Sequence, residues 1–280
     1  MAHKNFALLT LLGVWILALA TTMEIDLPPL PAGARVVLGY CDRAAAGTRA
    51  LRLLRSPSAA TTHAPTCAQL SEPTFALADA AAAALPPIEV TLLAGGASPL
   101  ALLNINAAVD DAFGAALACA VVDQLSTTSG AALTVLAALR LDGPGVRAAR
   151  VGRDVPAADA GFPELAADTP VDDAFLSPLL RYAQLAGLPT TLLACAGPRF
   201  RRRDPKEDGT DAAICALGVA AVRAHPELEF VDAADAKAPT VPLFRVVNWP
   251  PTAEQQVRDA LFLRSPVVLT DARAHPKTAR

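Results

Sequence analysis

Residues 98–141 read SPLALLNINAAVDDAFGAALACAVVDQLSTTSGAALTVLAALRL. Leu100–Ile105 (LALLNI) is a strand candidate. Val109–Leu125 has the pattern of a helix: Val109, Phe113, Leu117 and Val121 recur every four residues, and Asp110 and Asp111 complement the N-terminal end of the helix dipole. Ser126–Gly130 is a turn, and Ala131–Leu141 (AALTVLAALRL) is a buried strand. Strand, helix and strand in succession are the building unit of an α/β layer fold.

The alternation continues outward in both directions. Toward the N-terminus, Ala34–Cys41 has Val36, Val37 and Leu38 contiguous, as in a sheet covered on both faces, and Ala44–Leu54 is helix-like. Residues 56–72 hold Pro57, Pro65 and many hydroxyls and read as a loop, and Phe75–Leu85 is alanine-rich and ambiguous. Ile88–Leu93 (IEVTLL) alternates like a half-buried strand. Toward the C-terminus, residues 142–170 are rich in Gly, Pro and Asp and read as a long irregular excursion. Asp172–Ala186 is a helix closed by Gly187-Leu188-Pro189, Thr190–Ala196 is the next strand, and Thr210 or Asp211 caps a helix through Ala224. Val241–Asn248 is the last strand candidate and Thr252–Leu263 the last helix. The fold class expected is α/β, with a mostly parallel central sheet containing Val36–Gly39, Val90–Leu93, Leu133–Leu139 and Leu192–Ala194. A single domain is expected over residues 23–264, followed by a polar tail, 265–280.

The bulk composition narrows the function classes. Of 280 residues, 53% are hydrophobic but only 5% aromatic, so the core is built from Ala, Leu and Val. The net charge of −3 leaves no basic face of the size a nucleic-acid partner needs. The five cysteines, Cys41, Cys67, Cys119, Cys195 and Cys215, are odd in number and form no C-x-x-C pair. They read as small buried hydrophobes in a reducing compartment. The N-terminus points the other way: His3 and Lys4 precede an uncharged run from Phe6 to Ala20 and an Ala18-Leu19-Ala20 site, the layout of a secretory signal. Residues 1–22 are therefore a signal or anchor, or an upstream extension before Met23.

No cofactor, metal or catalytic residue is expected. Gly143-Pro144-Gly145-Val146-Arg147-Ala148 has the form of a dinucleotide turn, yet Gly152 and Pro156 break the helix that should follow, so a loop with two turn glycines is the better reading. Four histidines, His3, His63, His225 and His275, lie far apart without ligand spacing and read as surface residues, His225 simply ending a helix. A G-x-S-x-G nucleophile elbow is missing from the sequence. Asp172-Asp173 reads as a helix cap rather than a catalytic pair. The run Arg199-Phe200-Arg201-Arg202-Arg203-Asp204-Pro205-Lys206 is a candidate anion-binding or partner-docking loop, or a nuclear localisation signal, although Glu207, Asp208 and Asp211 offset much of its charge.

Two stretches, 98–141 and 171–222, resemble the proteasome assembly chaperone 1 family. The second carries Leu179-Leu180-Arg181-Tyr182-Ala183-Gln184-Leu185-Ala186-Gly187-Leu188-Pro189, similar to a helix end in that family, followed by a strand. The 142–170 excursion falls where the family is also variable. The resemblance implies a nucleoside-phosphorylase-like core without catalysis, and a chaperone 2-like subunit as heterodimer partner. The pair would hold proteasome α-subunits during 20S α-ring assembly, in the cytoplasm and possible nuclear sites. Contacts are expected from Arg199, Arg201, Arg202, Arg203 and Lys206 and from the Thr210–Val222 helix. Some members end in a hydrophobic-tyrosine-any tripeptide, from which Thr278-Ala279-Arg280 departs. The competing class is a secreted or membrane-anchored, hydrolase-like α/β enzyme, with membrane contact only if residues 6–20 act as a signal anchor.

Overall fold

A computed structural model describes residues 25–42, 45–57, 60–65, 70–73, 86–93, 98–108, 111–153, 161–197, 210–231 and 244–246. In chain order the strands are β1 (Arg35–Cys41), β2 (Leu54–Arg55), β3 (Ala60–His63), β4 (Leu70–Pro73), β5 (Ile88–Leu93), β6 (Leu100–Ala108), β7 (Ala132–Leu139), β8 (Val146–Val151), β9 (Thr190–Ala196), β10 (Glu229–Phe230) and β11 (Phe244–Val246). The helices are α1 (Ala46–Arg52), α2 (Asp111–Ser126), α3 (Leu176–Ala186) and α4 (Thr210–Ala224). Seven strands form one sheet in the order β3-β5-β6-β1-β7-β9-β8.

The central four strands, β6, β1, β7 and β9, run parallel, as the α/β reading requires. Antiparallel strands extend both sides: β5 pairs with β6, β3 with β5, and β8 with β9. Because side chains alternate across a pleat, each central strand feeds both faces. Val36, Leu38 and Tyr40 of β1, with Leu133, Val135 and Ala137 of β7, join the core beneath α2 and α3. Val37 and Leu136 point the other way, into a second core with Ile214 and Leu217 of α4. Both faces are covered, so the strands read as continuous apolar runs.

Two expectations need correction. Residues 56–72 are not all loop: Ala60–His63 forms an edge strand and Leu70–Pro73 a strand pairing with β11. The 142–170 segment is not irregular throughout, since Val146–Val151 pairs antiparallel with β9 in six-residue register. Gly143 and Gly145 have φ of 88° and 89° and turn the chain into that strand rather than into a helix, which leaves no helix N-terminus for a pyrophosphate. Two of the helices are also shorter than the periodicity predicts, while α4 covers Thr210–Ala224 as expected. α1 covers Ala46–Arg52, and α3 begins at Leu176, where Asp173 Oδ1 accepts from Phe175 N at 3.0 Å and Leu176 N at 2.7 Å. Asp173 is thus the expected cap. The Thr252–Leu263 and Phe75–Leu85 stretches and Gly95-Gly96 lie outside the described residues.

Candidate functional site

In an open parallel sheet, groups that meet a ligand collect at the carboxyl ends of the strands. Here the carboxyl end of β1 delivers Asp42, nine-tenths buried. Its Oδ2 accepts from Ala138 N at 2.7 Å, beyond Gly39–Leu136, the last β1–β7 pair, while Oδ1 accepts from Gly47 N at 3.4 Å. The carboxylate thereby ties β7 to the start of α1. Burial pushes its pKa up to about 7, against the lowering effect of the Ala138, Gly47 and Ala46 amides, and the charge of Asp173 raises it slightly further.

Beside it, the α1 face of β6 changes from leucine to asparagine: Leu100 and Leu102 give way to Asn104 and Asn106. Both asparagines and Thr48 of α1 are buried. Thr48 has one hydroxyl proton, and Oγ1 donates it to Asn106 Oδ1 at 3.1 Å. Asn104 is then satisfied when its amide nitrogen donates to Thr48 Oγ1 and to Gly39 O at 3.3 Å, while its oxygen accepts from Arg52 Nε at 3.2 Å. Arg52 also pairs with Glu89 of β5 at 3.0 Å. Asn106 Nδ2 donates to Pro86 O at 2.7 Å. These groups spend their polar capacity on one another and on the backbone, so the network clamps α1, β5 and β6 together.

The α4 helix shows a different surface. Its inner residues Ala213, Ile214, Leu217, Ala220 and Ala221 are buried. Its outer positions Ala212, Cys215, Ala216 and Val219 are also apolar, and Val219 is 56% exposed, while Val222 packs against the second core. A solvated helix normally carries charge along that side, whereas here the exposed charges, Asp211 and Arg223, stand only in the first and last turns. The end of the helix is anchored by His225. Contrary to the surface reading, this residue is buried, with Nε2 3.0 Å from Thr134 Oγ1 of β7, and its own N–H bonds Ala221 O at 2.8 Å. Its burial follows from α4 lying directly on the sheet.

No family model matches the sequence, and no curated protein matches it. Solved structures do. The chain is similar to PbaB of Pyrococcus furiosus, an archaeal proteasome activator, at 13% identity over 78% of this chain and 93% of that one, with a TM-score of 0.53. A protein of unknown function from Corynebacterium glutamicum is similar at 13% identity over 77% and 86%, with a TM-score of 0.52. PbaA of Pyrococcus furiosus, an archaeal homologue of proteasome-assembly chaperone, gives 14% identity, 77% and 93% coverage and a TM-score of 0.49. At such identities what PbaB and the Corynebacterium protein share with this chain is the fold.

The predicted docking residues Arg199, Arg201, Arg202, Arg203 and Lys206 lie outside the described residues, in the connection from the end of β9 to the start of α4. The Thr210–Val222 helix expectation falls on α4 itself. Sequence reading overlooked Asp42 and the Thr48–Asn104–Asn106 cluster. Their signals were an acid directly after a strand and two asparagines spaced by two in an apolar run. Of the cysteines, Cys195 is buried and Cys119 and Cys215 are half-buried, all three as free thiols. Burial, with Asp123 or Asp42 nearby, pushes Cys119 up to about 11 and Cys195 to about 12, so both are poor nucleophiles. Among the described residues no helix is long and apolar enough to cross a membrane, and the Phe6–Ala20 run lies outside them.

Proposed function

We propose that this chain is a non-catalytic chaperone subunit that promotes assembly of the 20S proteasome α-ring, as a heterodimer with a related chaperone. The observation that carries the reading is the outer face of α4, where Ala212, Cys215, Ala216 and Val219 form an apolar stripe that a partner would cover. The two stretches resembling the assembly-chaperone family support it, as does the fold shared with PbaB, an archaeal proteasome activator. The polar groups at the carboxyl end of the sheet fit a scaffold better than a reaction centre, because Asp42, Thr48, Asn104 and Asn106 are engaged internally.

In this reading Arg199, Arg201, Arg202, Arg203 and Lys206, leading into α4, steer an acidic partner toward the apolar stripe in the cytoplasm. Charge reversal at Arg201, Arg202 and Arg203 tests this by surface binding to proteasome α-subunits. Association should slow, most at low ionic strength, with dissociation little changed. Association unchanged at every salt concentration would remove the loop from the interface.

A further inference from the structure

The Gly143-Pro144-Gly145-Val146-Arg147-Ala148 motif forms no dinucleotide turn, but it builds the loop from β7 to β8. We propose that this loop, through Arg140 and Arg147, binds an acidic segment of the protein that docks on α4. The inference rests on the proposed docking function and adds to it a second basic element, fixed by the sheet.

Strand order places the loop. β9 lies between β7 and β8, so residues 140–145 span the carboxyl end of β9. There Gly197 N donates to Leu139 O at 2.7 Å, and Val146 pairs with Cys195. Arg140 and Arg147 therefore flank the point where the chain leaves β9, two residues before the Arg199–Arg203 run begins in sequence. The first turn of α4 borders the same place. Cys195 Sγ donates to Ala213 O at 3.8 Å, and Val146 packs into the core that holds Ala213 and Ile214.

The loop offers positive charge in a set geometry. Gly143 and Gly145 hold it in left-handed conformations, and Arg147 donates to Asp142 O at 3.0 Å. That acceptor is a neutral carbonyl, so the guanidinium keeps its charge. Arg140 is exposed and, among the described residues, has no hydrogen-bond or ion-pair partner. Two arginines thus stand against one aspartate, Asp142, on a chain whose net charge is −3. Attraction of an acidic partner must come from such a local patch, and guanidinium forks suit carboxylates.

The test measures binding of fluorescently labelled polyglutamate to the full-length chain by anisotropy at low ionic strength. Arg140→Gln/Arg147→Gln removes two charges and keeps a donor for Asp142 O. Arg150→Gln/Arg153→Gln removes two charges from exposed positions at the other end of β8 and serves as the control. Affinity should fall about fivefold in the loop variant and less than twofold in the control. The difference should fade at high salt, with thermal midpoints unchanged. Equal losses in the two variants, or no polyglutamate binding by the unaltered chain, would overturn the proposal. Loop-dependent binding of duplex DNA tighter than that of polyglutamate would overturn the acidic-protein assignment. No proteasome subunit enters this assay, so failure to retain α-subunits beside the expected polyglutamate result would overturn the docking reading and leave the loop site standing.

Discussion

Thr48 and Asn106 share a single hydroxyl proton across 3.1 Å, in a place where both residues are sealed from solvent. The hydroxyl also accepts from Asn104, so one side chain satisfies two buried amides. Thr48→Val keeps the shape and removes both roles. It should lower stability by about 2–3 kcal/mol in urea unfolding, because Asn106 Oδ1 loses its donor and one of the two Asn104 amide N–H groups loses its acceptor, both in the interior. Thr48→Ser, which retains the hydroxyl, should cost clearly less. Equal losses for the two variants would mean that packing, and not the hydrogen bonds, sets the value of this position.

Asp42 makes stability depend on pH in an unusual sense. Its folded pKa, raised to about 7, lies above the unfolded value of 3.8, so between these the native state holds a proton that the unfolded chain has released. The contribution of this group is therefore fully present below about pH 4 and is lost as pH rises through about 7. The slope approaches 1.4 kcal/mol per pH unit, about the most one proton can give. Asp42→Asn should flatten that window in denaturant titrations. It should also be less stable at low pH, since its amide opposes the N–H of Gly47 or Ala138. An unchanged pH profile in the variant would assign the dependence elsewhere.

Gly47 lets α1 lie directly on the sheet. A Cβ there would sit 2.4 Å from Leu136 O, and one on Gly39 would sit 2.6 Å from Gly47 O. Helix propensity favours Gly47→Ala by about 1 kcal/mol, but a clash with sheet backbone costs about 3 kcal/mol, so the variant should be less stable. A thermal midpoint equal to or above that of the unaltered chain would show that α1 can lift off without loss.

Strands with both faces buried were legible in the sequence because Val36–Leu38, Val135–Leu139 and Leu192–Ala194 are apolar without interruption. Edge strands were not. β3 is Ala-Thr-Thr-His with every side chain exposed, and β8 carries Arg147 and Arg150 among small residues, so neither shows a buried run. The six residues between β5 and β6 did hold a clue, being too few for a parallel crossover. Burial of His225 was invisible because it depends on where α4 meets β7, a tertiary relation with no local pattern. The α4 stripe was legible as apolar periodicity, but which side faces the sheet required the fold.

The central claim is that this protein acts by binding through α4. Affinity purification of the full-length chain from its native cell, with mass-spectrometric identification of what it retains, tests that most directly when run beside Val219→Asp. The account predicts that proteasome α-subunits and a related chaperone subunit are retained by the unaltered chain. Val219→Asp should lose them by about tenfold or more while remaining folded, because a carboxylate would have to be buried in the contact. Retention of neither class of protein, together with turnover of a small molecule by the purified chain, would contradict it.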